Sequence, residues 1–290
     1  MLLRVEIESR IANLSVETGI FGEGMHYLHA GTGAPLLLIH GLFGGSFCWR
    51  FNIESLACRH SVYAVDLPGL GLSDVPPGAN CSMHAQARRL VQFLERNDFR
   101  EVNVVGSSWG GAVATILASM TERVTALVLA APVNPWSRQG EERIRFFRGL
   151  TGGLILRCGL RFSGRFHAPA VSAMYGDVSK IQPGTTEGYS KLVYRPGRAR
   201  ALHNILRNWE TDVRSLTGVI AKVKQPVMLI WGDRDRAVEP ASAQRLQEAL
   251  AQAELAVIPG AGHLPSEEVP EVFNRLVLDF FQRVSKAVPH

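Results

Sequence analysis

The chain has 290 residues, 46% hydrophobic and 20% charged, with a net charge of +5. This is globular composition, with room for one large domain or a domain carrying an insertion. Its longest apolar stretches, such as residues 126–133, are far too short to cross a bilayer, which excludes a membrane span, and no internal repeat or low-complexity tract is present.

The first eight residues alternate apolar with charged side chains instead of building an apolar signal core, so a cytoplasmic protein is expected. Two short strands are predicted at residues 10–18 and 24–29. Residues 35–39 form a continuous apolar run, and 61–65, 102–105, 126–129 and 226–231 repeat that texture, which suits parallel strands buried on both faces. Helices are predicted at 49–56, 83–96, 112–121, 241–251 and 269–286. Strand–helix alternation with apolar strands predicts a doubly wound α/β sheet, with its site at the carboxyl ends of the strands. The four cysteines, Cys48, Cys58, Cys81 and Cys158, make no C-x-x-C pair and no cluster with histidines at metal-ligand spacing. Reduced, mostly buried thiols are expected, with a Cys48–Cys58 bridge left open, and no metal.

After the first buried run comes His40-Gly41-Leu42-Phe43-Gly44-Gly45. Glycines at the carboxyl end of a strand let backbone N–H groups face a bound atom, so this loop reads as half of an oxyanion hole. The N–H of Leu42 is its candidate donor, with that of Trp109 as the second. His40 itself reads as structural.

Gly106-Ser107-Ser108-Trp109-Gly110 lies between a β-branched strand and a helix packed by small residues. That context makes G-x-S-x-G a nucleophile elbow. A serine hydroxyl needs a base to remove its proton, and a sharp turn holds it where a histidine can reach. Gly106 and Gly110, like Gly41 in the earlier loop, leave room for close backbone packing.

The alternation stops after Val133 and resumes near Gln225. Residues 134–224 contain 16 Lys/Arg and 6 Asp/Glu, a net +10 in a chain of +5. Such a shift between two core strands predicts a lid, giving a core of 1–133 with 225–290 and a helical cap of 134–224. Within it, Phe146, Phe147, Leu150, Leu154, Ile155, Leu156 and Phe162 read chiefly as packing the cap onto the core. The basic cap also admits docking on an anionic membrane or nucleic acid, although no nucleic-acid motif accompanies it.

Past the 226–231 run, Asp233 and Asp235 compete to orient a histidine. Asp235 is favoured, because the turn at Gly232-Asp233 comes first, and a turn role is the plainer reading of Asp233. Of the nine histidines, His263 alone sits in a loop after the last strand and completes the order Ser, Asp, His. Ser108, Asp235 and His263 are therefore the candidate catalytic residues.

With His40-Gly41, the loop from Asp66 to Asp74, the Ser108 elbow, Gly232 to Asp235 and Gly262-His263 in this order, the chain resembles the α/β-hydrolase superfamily from about Gly24 to its C-terminal helix. The resemblance implies a mostly parallel eight-stranded doubly wound sheet with a helical cap between the sixth and seventh strands, and hydrolysis without a metal or organic cofactor. Haloalkane dehalogenases and epoxide hydrolases of this fold carry aspartate at the elbow, where this chain has Ser108. Its carbon–carbon hydrolases typically carry tryptophan after the histidine, where this chain has Leu264. The leading expectation is a carboxylesterase acting on a small-molecule ester through an acyl-enzyme. The alternatives are a carbon–carbon hydrolase, its acidic substrate clamped by Arg138, Arg143, Arg145, Arg195 or Arg198, and a ligand receptor on the same core.

Overall fold

A computed structural model describes residues 15–22, 24–75, 78–162 and 164–287, with the side chains of 157, 159–162, 164–167 and 287 outside the description. The strands are β1 (Val16–Phe21), β2 (Met25–Ala30), β3 (Ala34–Ile39), β4 (His60–Val65), β5 (Val102–Ser107), β6 (Val124–Ala130), β7 (Val227–Gly232) and β8 (Ala253–Ile258). They form one eight-stranded sheet in the order β1-β2-β4-β3-β5-β6-β7-β8. The β1–β2 and β2–β4 pairs are antiparallel and every other pair is parallel.

Side chains alternate between the faces of a strand, and β3 shows why its run is wholly apolar. Leu37 and Ile39 enter a core with helices α2 (Met83–Arg96), α3 (Trp109–Met120), α8 (Arg198–Ile220) and α9 (Ala241–Ala249). Leu36 and Leu38 enter the opposite core, with α1 (Ile53–Ala57) and α11 (Pro270–Ala287). Each such leucine contributes about 1.5–3 kcal/mol by leaving water. The outer strands β1 and β8 are only partly buried and carry Glu17 and Glu254, as edge strands do.

Between β6 and β7 lie α4 (Glu141–Arg148), α5 (Leu150–Phe162), α6 (Gly164–Met174) and α7 (Thr185–Val193), followed by α8. The short α10 (Pro265–Glu268) precedes α11. No helix among the described residues is long and apolar enough to cross a membrane.

Several expectations need correction. The strand expected at 10–18 runs instead over Val16–Phe21, in register with β2, and residues 10–14 lie outside the described ones. The helix expected at 49–56 divides into a 3₁₀ turn, Ser46–Trp49, and α1. Helix α3 starts at Trp109, three residues early, because its glycines lower helix propensity while close packing requires them. Phe146, Leu150, Leu154 and Ile155 are exposed, and do not pack inward as expected. All four cysteines are free; Cys48 and Cys81 are buried, Cys58 and Cys158 exposed.

A β-carbon on Gly110 would lie 2.2 Å from the His40 carbonyl oxygen and 2.6 Å from that of Ile39. Helix propensity favours alanine there by at most about 1 kcal/mol. Overpacking opposes it by about 1–3 kcal/mol. Gly110→Ala is therefore expected to lower stability in urea unfolding, against the sign of its helix propensity.

Candidate active site

In the sheet order β4 is added on one side of β3 and β5 on the other, so the winding reverses between β3 and β5, a switch point where loops part and leave a crevice. The loop after β3 and the turn after β5 meet there. At Ser108 the backbone takes φ 53° and ψ −122°, a left-handed conformation that non-glycine residues rarely adopt. Its N–H donates to Ala130 O at 2.8 Å, and its carbonyl accepts from Gly111 N at 2.9 Å and Val133 N at 3.1 Å. These bonds hold the turn, and the side chain stands out of it.

Ser108 Oγ lies 2.8 Å from His263 Nε2. His263 Nδ1 lies 2.8 Å from Asp235 Oδ2. The other oxygen, Oδ1, accepts from Ala237 N at 2.7 Å and Val238 N at 3.0 Å, which locks the carboxylate against the ring. Asp235 and His263 are buried and Ser108 is half-buried. Facing a carboxylate, Nδ1 carries the proton, and Nε2 then presents its lone pair to the serine hydroxyl. Asp233 is exposed and accepts from Gly260 N at 2.7 Å, so it ties two loops together and does not reach the ring.

The glycine loop runs alongside. A β-carbon on Gly41 would lie 3.1 Å from Ser108 Cβ, so Gly41 packs directly on the serine and Leu42 follows it. His40 is buried; its Nε2 accepts from Leu67 N at 3.0 Å and its Nδ1 donates to Gly41 O at 2.8 Å. Burial holds its pKa below the ordinary histidine value, with the nearby Asp66 pulling the other way. Asp66 is also buried, and binds His26 Nδ1 at 2.6 Å and Leu72 N at 3.0 Å. Its burial alone would raise its pKa, but the His26 hydrogen bond and charge outweigh that and hold it below the usual carboxylate range. Both residues brace the loops beside Ser108.

Three of the five candidate arginines have their side chains engaged elsewhere. Arg198 is buried and Nη2 donates to Gly71 O at 2.5 Å and Ser73 O at 3.1 Å. Arg195 donates to Leu72 O at 3.3 Å, and Arg145 pairs with Glu141 at 3.7 Å. Arg138 uses its backbone N–H on Glu239, and Arg143 is exposed. None of these contacts involves Ser108, Asp235 or His263. Among the described residues, no group of three or more His, Cys, Asp or Glu side chains is arranged to hold a metal ion.

A family model described as alpha/beta hydrolase fold matches residues 34–270. The chain belongs to the α/β-hydrolase family. Putative carbamate hydrolase RutD of Variovorax paradoxus is 30% identical over 257 residues, 87% of this chain and 93% of that protein. Haloalkane dehalogenase 2 of Mycobacterium tuberculosis is 26% identical over 269 residues, 89% of this chain and 91% of that protein. The crystal structure of a putative lipase from Acinetobacter baumannii AYE matches with a TM-score of 0.83 at 19% identity, covering 99% of this chain and 97% of that one. At that identity the likeness is one of fold.

In this α/β hydrolase, two adjacent glutamates that sequence reasoning missed support the histidine loop. Glu268 Oε2 accepts from Gly262 N at 2.7 Å and Gly176 N at 3.1 Å, and Oε1 accepts from Asp177 N at 2.8 Å. His263 N donates to Met174 O at 2.7 Å. Glu267 forms a buried ion pair with Arg50 at 2.6 Å. It also accepts from Tyr175 OH at 3.1 Å and from Tyr189 OH. Burial, reinforced by Glu267, pushes both phenols well above their ordinary pKa, so both stay donors. The available signal was the Glu267-Glu268 pair four and five residues past His263. Acids in the first turn of a helix are common enough to hide it.

Glu268→Ala leaves three backbone N–H groups without their carboxylate and frees the histidine loop. It is expected to lower kcat more than it raises KM, by about tenfold or more, since small misplacements of a catalytic group cost that much. Steady-state kinetics on a chromogenic ester check this. Burial keeps His40 neutral in the folded state, so the unfolded chain binds more protons as pH falls. The stability it contributes is present above the unfolded pKa of ~6.5 and is lost as pH falls through the folded value. Melting temperature should fall between pH ~7.5 and ~5. His40→Gln should flatten that fall without removing it, because burial depresses His60 in the same direction.

Proposed function

We propose that this α/β hydrolase cleaves carboxylic esters through an acyl-enzyme, with residues 134–224 as a cap over a core of 1–133 and 225–290. The observation that carries the reading is the continuous chain from Ser108 Oγ through His263 to Asp235, both links at 2.8 Å. His263 Nε2 takes the hydroxyl proton as Oγ bonds to the ester carbonyl carbon, and the carbonyl electron pair moves onto oxygen. The backbone N–H groups of Leu42 and Trp109 hold that oxyanion, each contributing about 3–4 kcal/mol in the transition state. Trp109 opens α3, where N–H groups lack a carbonyl one turn back and favour negative charge. His263 returns its proton to the departing alkoxide, and Asp235 stabilises the imidazolium between transfers. A water molecule then repeats the sequence on the acyl-enzyme and frees the acid.

Serine at the elbow, where dehalogenases of this fold carry aspartate, favours attack on an acyl carbon. A carbamate, the group in the name of the Variovorax relative, presents the same kind of carbonyl. The basic span 134–224 motivates the carbon–carbon reading, but Arg198, Arg195 and Arg145 are occupied by backbone carbonyls and Glu141. The ester reading therefore stands first.

Short p-nitrophenyl esters should be hydrolysed, and Ser108→Ala or His263→Ala should lower kcat by about 10⁴–10⁶-fold, Asp235→Asn by about 10⁴-fold. A fluorophosphonate should add one phosphonyl group to wild type and none to Ser108→Ala by intact mass. Equal turnover by wild type and Ser108→Ala would remove Ser108 from the mechanism. Turnover of coloured ring-fission products without ester hydrolysis would favour the carbon–carbon reading.

A further inference from the structure

Helix α5 turns large apolar side chains to solvent. Leu150, Leu154 and Ile155 are 91%, 62% and 47% exposed, and Thr151 and Cys158 complete the same outward face. Phe146, on the neighbouring α4, is 51% exposed beside them. The inward side carries Gly152 and Gly153, both buried, and the partly buried Leu156, which packs on the core. A β-carbon on Gly152 would lie 2.0 Å from Phe146 O, and one on Gly153 would lie 2.5 Å from His203 Nε2. At those two positions no larger side chain fits, so the helix sits close on its neighbours there with Leu150 and Leu154 turned outward. Four large apolar groups within ten residues are thus held in solvent by the packing of the helix behind them, a pattern that marks an interaction surface.

The charge around this face indicates its partner. Residues 141–174 contain six arginines, no lysine and two acids, and the surrounding span 134–224 is +10. On α4, Arg143 and Arg145 are exposed next to Phe146. Exposed apolar side chains beside exposed arginines suit a surface with anionic headgroups outside and hydrocarbon within. We propose that the α4–α5 face docks on an anionic lipid bilayer, lying on it without crossing it. This surface is independent of which bond Ser108 attacks. It would bring the helices of the 134–224 span against the membrane.

Sedimentation of the full chain with lipid vesicles tests the proposal. Binding is expected to phosphatidylglycerol-containing vesicles, and to be about tenfold weaker on pure phosphatidylcholine or at high salt. Leu150→Glu with Leu154→Glu, and separately Arg143→Glu with Arg145→Glu, should each weaken binding by about tenfold or more. Hydrolysis of a soluble p-nitrophenyl ester should be unchanged in both. Vesicles should also protect Cys158 of the wild-type chain from a water-soluble maleimide while leaving Cys58 reactive, a readout that needs no substitution. Failure to bind phosphatidylglycerol vesicles, equal binding by the Leu150/Leu154 variant, or unprotected Cys158 in bound protein would each overturn the proposal. So would a dimer that the Leu150/Leu154 variant breaks in a protein that ignores vesicles, which would assign the face to a second copy of the chain.

Discussion

The turn at Ser108 is the constraint on which the site depends. Its backbone, at φ 53° and ψ −122°, costs on the order of 1–3 kcal/mol relative to an ordinary conformation. Close packing over-determines it. Gly106 meets Gly110 and Gly111, Gly110 meets the carbonyls of Ile39 and His40, and Gly41 meets Ser108 itself. At each contact a β-carbon would intrude on backbone or on the serine. The strain is therefore sustained by β3, β5 and α3 together, and relaxing it would require all three to move. The same contacts that force the turn also bring the loop of Leu42 beside the hydroxyl.

The histidine side of the site is held differently, by charge and hydrogen bonds. Glu268 gathers the N–H groups of Gly262, Gly176 and Asp177, and the His263 N–H reaches Met174 O. Beside it, the buried Arg50–Glu267 pair is satisfied by Tyr175, Tyr189 and Thr185. A buried ion pair costs several kcal/mol per ion to desolvate, and is tolerated only when its remaining hydrogen-bonding capacity is filled. Those tyrosines and the threonine come from the segment between β6 and β7, so the loop that aims the imidazole and the helices of that segment share one polar network. A change in either would be felt by the other.

Much of the core was legible because its signal is local. Five apolar runs meant buried parallel strands, since a strand covered on both faces has no polar side to show, and β3 divides its leucines between the two cores as that requires. Residues 83–96 form the helix expected there, and the structure adds its cap, the Ser82 hydroxyl accepting from Ala85 N. The start of α3 misread because Gly110 and Gly111 speak against a helix locally, while packing against His40 and Pro132 demands them. Leu150 and Leu154 misread for the converse reason. Their helical spacing signals a packed face, but spacing cannot tell inward from outward, and the adjacent glycines took the inward side.

The sequence by itself determined the order of the pieces: a serine at a strand-to-helix turn, a glycine loop before it, and an aspartate and a histidine after two later strands. Each is encoded within a few residues, in side-chain size and backbone freedom. Only the tertiary structure decided what those pieces touch. It chose Asp235 over Asp233 by giving one the imidazole and the other Gly260, and it turned Glu267 and Glu268 from helix-end acids into supports for His263. It also engaged Arg198 and Arg195 with backbone carbonyls and Arg145 with Glu141, and set Leu150 and Leu154 of α5 facing outward. These outcomes depend on contacts between residues distant in the chain, 155 positions apart for Ser108 and His263, and no local pattern encodes such a separation.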